Sequence, residues 1–154
     1  MLDSDRDCRT LADLTVTIYR SGPVTVIELS GEFDLYTAYD LRRHLDGYAS
    51  SRFARVVVDL RALKFIDSAG IAVLVSLGKR AAAQAGTLRL VLSENHLLVK
   101  LQRMGLVKLW PIHPDPESAI GAAADEDEDE VAVAVAAIAT ADEGLPALAV
   151  RPLP

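Results

Sequence analysis

The first ordered pattern along the chain is an alternation of apolar and polar residues. Residues 14–20 (LTVTIYR) place apolar side chains at every second position, and residues 24–30 (VTVIELS) also read as a strand. This period is typical of half-buried β-strands. The intervening Ser21-Gly22-Pro23 is a turn signal, so we predict an antiparallel hairpin.

The period then lengthens to that of a helix. Ala38, Leu41 and Leu45 fall at helical spacing, and Thr37 with Asp40 three residues later resembles a capping box. Further along, short β-branched or apolar runs alternate with helical segments. The predicted elements are a doubly buried strand at 55–59, a helix at 71–85 stopped by Gly86, a strand at 87–92, a helix from Asn95 to 104, a strand at 109–113, and a helix from Asp115 to 124.

This order predicts an α/β fold with one mixed sheet. Strands that alternate with helices are joined by right-handed crossovers, so we expect them to be mostly parallel, with helices packed on the sheet. The folded domain should span residues 14–124, after a flexible N-terminus at 1–13. Residues 125–154 begin with DEDEDE and continue with an Ala/Val-rich and then Pro-interrupted stretch, so we expect this tail to be disordered.

Composition narrows the possible functions. The net charge of the 154 residues is −6, and the acidic run at 125–130 carries six negative charges, so the rest is nearly neutral. Without clustered Lys and Arg, we expect no nucleic-acid binding. Cys8 is the only cysteine, which excludes an internal disulfide. The polar start resembles no signal peptide and no apolar run is long enough to span a membrane, so we predict a cytoplasmic protein.

The stretch FIDSAG, residues 65–70, is the main candidate for chemistry. A nucleophile elbow requires glycine two residues before its serine, and Ile66 stands there, so Ser68 is not a hydrolase serine. Gly70 alone is not a phosphate-binding loop. Asp59 ends a predicted central strand, but the paired acids of a phosphoaspartate receiver are missing. The three histidines lie on different predicted elements, so no metal site is expected.

Two interpretations of Ser68 remain from the residues alone. Asp67 or Ser68 can cap the following helix, and this interpretation is favoured because such caps are common. The alternative is a regulatory site, since Ala69 and Gly70 keep the surroundings of the hydroxyl open. The helix that follows is apolar nearly all round, which is typical of a docking surface.

Taken together, these motifs closely resemble the STAS domain, and more narrowly the bacterial anti-sigma factor antagonists. The resemblance runs from about Leu14 to Ala124 and depends on the order and spacing of the motifs. They are Gly31-Glu32-Phe33-Asp34, the helix start Thr37-Ala38, the strand VVVDL, the stretch IDSAG, Asn95, and Met104-Gly105-Leu106.

The resemblance implies a phosphorylation switch at Ser68. In that family the matching serine is phosphorylated by the anti-sigma factor, an ATP-dependent kinase, and the unphosphorylated form binds this kinase and releases the sigma factor. The acid matching Asp34 lies beside the serine at the partner surface. We expect the partner surface to be completed by the surrounding loops and by the start of the apolar helix, at Thr37, Asp67, Ala69, Gly70, Ile71 and Leu74.

The resemblance also bounds the other expectations. Family members often carry a second hydroxyl after the serine, where this chain has Ala69, and the acidic tail has no counterpart in the minimal family form. The protein itself is expected to be neither an enzyme nor a cofactor binder. An alternative role is a structural STAS module of a stress-signalling scaffold or of a lipid-transport complex, in which the serine is retained only as a cap.

Overall fold

The structure is a computed structural model that describes residues 6–93 and 97–125 in full and the backbone of residue 96. Its strands are β1 (Asp7–Leu11), β2 (Leu14–Ser21), β3 (Val24–Phe33), β4 (Arg55–Ile66), β5 (Thr87–Val91) and β6 (Ile112–His113). Its helices are α1 (Leu35–Asp46), α2 (Ser68–Ala83), α3 (His96–Arg103) and α4 (Pro116–Ala124), with short 3-10 turns at Ser50–Phe53 and Leu106–Lys108.

The strands form one mixed sheet in which spatial order equals chain order, β1-β2-β3-β4-β5-β6. The predicted hairpin is confirmed, because β2 and β3 pair antiparallel and Ser21 faces Val24 across the turn. The pairs β3–β4, β4–β5 and β5–β6 are parallel, as the alternation of strands and helices predicted. The chain therefore has the α/β architecture expected from its sequence.

The two faces of the sheet are covered unequally. Successive right-handed crossovers that advance in one direction put α1, α2 and α3 on the same face. The large core lies there and contains Val56 and Val58 of β4. The opposite face has a small cluster in which Val57 and Val91 contact Ala119 and Ala123 of α4. The burial of Val56, Val57 and Val58 confirms that β4 is buried on both faces.

Strand β1 was not predicted. Residues 7–11 were expected to belong to a flexible N-terminus, but they pair antiparallel with β2 along its whole first half. The strand lies at the sheet edge and its three central residues are exposed, so its sequence has no apolar alternation to reveal it. Asp7 ties it to the end of α1, because it lies 3.1 Å from His44 Nε2 of that helix and accepts a hydrogen bond from Tyr48, two residues after the helix ends.

Some boundaries also differ from the predictions. Strand β4 continues to Ile66, past the predicted end at residue 59, because it follows β3 through two register shifts. Helix α2 ends through Ala85, whose φ is 59°, rather than through Gly86.

The predicted cap Asn95 and the tail from residue 126 onward lie outside the described residues. The predicted cap, first-turn proline and first-turn acid of α4 are confirmed at Asp115, Pro116 and Glu117.

Helix α4 is held to the sheet by a polar network. Arg89 of β5 is buried and its Nη1 lies 3.2 Å from His113 Nε2, while His113 Nδ1 lies 3.0 Å from Ser118 Oγ on α4. A neutral ring protonated at Nδ1 accepts from Arg89 and donates to Ser118. Burial lowers the pKa of His113, and the Arg89 charge lowers it further, against a raising effect of Asp115.

We expect this network to make stability pH-dependent. Because the folded-state pKa of His113 lies below its ordinary value of about 6.5, the unfolded chain takes up the proton first. The free energy of unfolding should therefore fall as the pH is lowered from about 6.5 through the folded-state pKa. Urea unfolding at pH 7.5 and 5.5 should show that the free energy of unfolding falls more for the unchanged protein than for His113→Gln. Equal losses would exclude His113 as the source.

Candidate functional site

Two neighbouring parallel strands end in aspartates that cap the next helices. Phe33 at the end of β3 pairs with Ile66 at the end of β4, and the residues that follow them are Asp34 and Asp67. The two aspartates have nearly the same backbone conformation, with φ/ψ of −109°/−172° and −111°/−172°. Because the carboxyl ends of parallel strands meet at one edge, the first turns of α1 and α2 start side by side.

Asp34 and Thr37 form the capping box of α1. Asp34 Oδ1 accepts from the backbone N–H groups of Tyr36 and Thr37, each at 3.0 Å, and the Asp34 N–H donates to Thr37 Oγ1 at 2.9 Å. Thr37 Oγ1 also donates to the Glu32 carbonyl at 2.8 Å. These N–H donors, with that of Thr37 first, lower the pKa of Asp34. The predicted box of Thr37 with Asp40 was therefore placed three residues too late.

Asp67 joins the two helices. Its Oδ1 accepts from the N–H groups of Ala69 (2.9 Å) and Gly70 (3.2 Å), so it is Asp67 rather than Ser68 that caps α2. Its Oδ2 accepts from the N–H of Leu35 (3.1 Å), the first residue of α1. One carboxylate thus satisfies donors of both helices and fixes their relative position.

Ser68 is exposed at the first position of α2, and four large apolar side chains near the starts of α1 and α2 are exposed as well. We call these four side chains the aromatic patch. They are Leu35 (64% exposed), Tyr36 (78%), Tyr39 (62%) and Phe65 (44%). Leu35 is bonded to Asp67, the residue before Ser68, and Phe65 lies three residues before Ser68. Large apolar side chains exposed together are typical of protein-binding surfaces.

Several predicted partner residues prove to be buried. Thr37, Ile71 and Leu74 are at most 2% exposed, and Gly70 is buried as well. Their side chains therefore pack inside the domain, and their place in a partner surface stays a prediction. Helix α2 contacts α1 and the sheet, and Trp110 covers it at Gly78, so its apolar outer face belongs to the core rather than to a docking surface. Asp34, Asp67 and Ala69 are partly exposed.

The aromatic patch was missed by the sequence reasoning. Leu35 and Tyr36 precede the residue at which the helix was predicted to start, and Tyr39 falls off the apolar stripe formed by Ala38, Leu41 and Leu45. An apolar residue off the buried stripe of an amphipathic helix is itself a signal of exposure. The patch could have been found once the helix start was placed at Leu35.

A match between the sequence and a family model identifies the family of this chain. The family model described as the STAS domain matches residues 15–119, which includes both capping aspartates and Ser68. The chain belongs to the STAS family. Among solved structures, the STAS fold of this chain is similar to an anti-sigma factor antagonist from Mycobacterium paratuberculosis, with a TM-score of 0.63 and 24% identity, over 76% of this chain and 100% of that one.

Two further solved structures share the STAS fold of this protein. The anti-sigma factor antagonist SpoIIAA in its unphosphorylated form has a TM-score of 0.52 at 18% identity, over 79% of this chain and 99% of that one. The Bacillus cell fate determinant SpoIIAA in the phosphorylated form has a TM-score of 0.51 at 19% identity, over 75% and 96%. At these identities the likeness establishes the fold. Among curated proteins, none matches the sequence.

Proposed function

We propose that this protein is an anti-sigma factor antagonist controlled by phosphorylation of Ser68. The unphosphorylated form binds an anti-sigma factor that is also a serine kinase, and the sigma factor is thereby released. The kinase transfers the γ-phosphoryl group of ATP to Ser68 Oγ, the hydroxyl proton passes to solvent, and ADP leaves. The modified protein then no longer binds.

The observation that carries this proposal is the placement of an exposed hydroxyl beside the aromatic patch. Asp67 provides the cap of α2, so the interpretation of Ser68 as the cap is not needed to explain the helix start. Ser68 directly follows Asp67, whose carboxylate accepts from the N–H of Leu35, and Phe65 lies three residues before Ser68. A phosphate added there brings a charge close to −2 to the edge of an apolar surface.

The comparisons supply the class of partner. The solved structures of similar fold include two described as anti-sigma factor antagonists and one protein in phosphorylated form. By this proposal the chain acts in transcription regulation and stress response in a bacterium. It works by binding in the cytoplasm, where ATP and sigma factors are found, and catalysis belongs to the kinase. Within the described part of the chain, no helix could span a membrane.

The test is phosphate transfer to one residue. The purified protein is incubated with ATP and each anti-sigma kinase of its host, and peptides are analysed by mass spectrometry. Phosphate on Ser68, and none on the Ser68→Ala protein, is the expected result. Absence of transfer with every kinase would contradict the proposal and favour the structural role in a signalling scaffold.

Asp34 allows stability and binding to be separated. Asp34→Ala should lower the free energy of unfolding, because the capping box of α1 is lost. Asp34→Asn keeps a side-chain oxygen that can accept from Tyr36 and Thr37, and asparagine is an equally good cap. If Asp34 also contacts the kinase through its charge, Asp34→Asn should fold normally and bind more weakly.

Calorimetric titration of the kinase with each variant, together with urea unfolding, checks this prediction. An Asp34→Asn protein with unchanged affinity would restrict Asp34 to its capping role.

A further inference from the structure

A cation from α3 is anchored next to the segment that leads to Ser68. The ammonium group of Lys100 donates a hydrogen bond to the carbonyl of Ile66, the last residue of β4. The same group lies 5.2 Å from the ring centroid of Phe65, a member of the aromatic patch. Lys100 thus connects α3 to the two residues that precede Asp67 and Ser68.

The start of α2 offers a phosphate little support by itself. Helix N-termini bind anions through free N–H groups. Here the N–H groups of Ala69 and Gly70 already donate to the carboxylate of Asp67, and that of Ile71 donates to the Asp67 carbonyl. A phosphate on Ser68 would therefore compete with the Asp67 carboxylate for the N–H groups of Ala69 and Gly70. Instead, the phosphate would lie beside the carboxylate of Asp67. Because the two negative groups repel each other, a cation close to the phosphate would stabilise it.

We propose that Lys100 is the counter-ion of phosphorylated Ser68. The inference rests on the proposed function, in which Ser68 is the modified residue. Ile66 and Ser68 are two residues apart, a Cα separation of at most about 7 Å, and the lysine side chain is flexible and unbranched. A charge-assisted hydrogen bond to a phosphate is stronger than one to a neutral carbonyl. Phosphorylation therefore draws the ammonium from the Ile66 carbonyl to the phosphate.

This movement would connect the modification to the partner surface. When the ammonium leaves, Phe65 loses the cation beside its ring. Phosphorylation then changes both the charge at Ser68 and the surroundings of one aromatic side chain of the patch. Lys100 is in this sense a positioning residue, since it acts through the phosphate and Phe65.

The experiment measures the second pKa of the phosphate by ³¹P NMR. Phosphoserine is installed at position 68 during translation, so the sample requires no kinase. Removing a nearby cation disfavours the doubly charged phosphate, and Lys100→Met should raise the second pKa by between about 0.5 and 2 units. Lys100→Arg keeps the cation and should leave the value close to that of the unchanged chain.

Lys79→Met is the matched control. It removes the same charge from a residue of α2 itself. Lys79 lies roughly 16 Å along the helix axis from Ser68, a distance greater than the Debye length in physiological salt. It should leave the pKa of the phosphate unchanged. If Lys100→Met does not fold, Lys100→Gln replaces it, because its amide can still donate to the Ile66 carbonyl.

A phosphate pKa that is the same with and without the Lys100 charge would overturn the inference. So would equal shifts in the Lys100 and Lys79 variants, since these would indicate a general loss of positive charge. Because the phosphoserine is made without a kinase, failure of the host kinases to modify Ser68 would contradict the proposed function alone. The two proposals can therefore fail separately.

Discussion

Ser68→Asp should lower the affinity of the protein for its anti-sigma kinase by about a hundredfold while leaving the melting temperature nearly unchanged. The new carboxylate stands on an exposed residue that the kinase is proposed to cover, and a charged group that loses water there without a pairing group on the kinase costs about 3 kcal/mol or more. Each 1.4 kcal/mol is a tenfold change in affinity. Stability is unaffected because Ser68 is exposed and Asp67 supplies the cap of α2.

Ser68→Ala is the matched variant. It removes the hydroxyl without adding a charge, so it should bind the kinase as tightly as the unchanged protein and resist phosphorylation. Titration calorimetry gives the affinities, and thermal unfolding shows that both variants are folded. Should Ser68→Asp bind as tightly as Ser68→Ala, the switch would have to be abandoned.

Most of the fold could be predicted from periodicity. Segments with a clear period and a buried stripe were found, such as the β2–β3 hairpin and β4. Strand β1 was not, because an edge strand with exposed central residues is defined by its pairing to β2 and not by its own pattern. The continuation of β4 to Ile66 likewise depends on its pairing with β3, which no local pattern encodes.

The candidate site was predicted in part, and the apolar helix α2 shows why the rest could not be. The resemblance placed Asp34 beside Ser68, and the structure connects the start of α1 to Asp67, the residue before Ser68, through the bond from the Leu35 N–H. The sequence could not show which face of α2 is covered, because a helix that is apolar all round has no polar stripe to mark solvent. Ile71 and Leu74, which were expected at the partner surface, are buried in the domain.

Gly70 illustrates the same error and leads to a prediction. It was expected to keep the hydroxyl of Ser68 open, but it faces the core. A Cβ at this position would lie 2.7 Å from the Phe33 carbonyl oxygen, 2.8 Å from Ile66 Cγ1 and 2.9 Å from Phe33 Cγ. Glycine therefore lets the first turn of α2 approach the ends of β3 and β4 closely. This approach sets the distance between Asp67 and α1.

Gly70→Ala should lower the free energy of unfolding by about 1–3 kcal/mol, the usual cost of overpacking a core. The first turn of α2 has to move away from β3, which strains the bond between Asp67 and the Leu35 N–H and displaces Ser68 from the aromatic patch. Affinity for the kinase should therefore fall together with stability. Urea unfolding and titration calorimetry measure the two effects.

Gly121→Ala is the control for this substitution. Gly121 also lies inside a helix, α4, but a Cβ there meets no atom within 4 Å. Alanine is the better helix former by up to about 1 kcal/mol, so Gly121→Ala should raise the free energy of unfolding and leave binding unchanged. The two substitutions add the same methyl group and are expected to change the free energy of unfolding in opposite directions. If Gly70→Ala also raised stability and bound normally, the close approach of α2 to β3 would not be what positions Ser68.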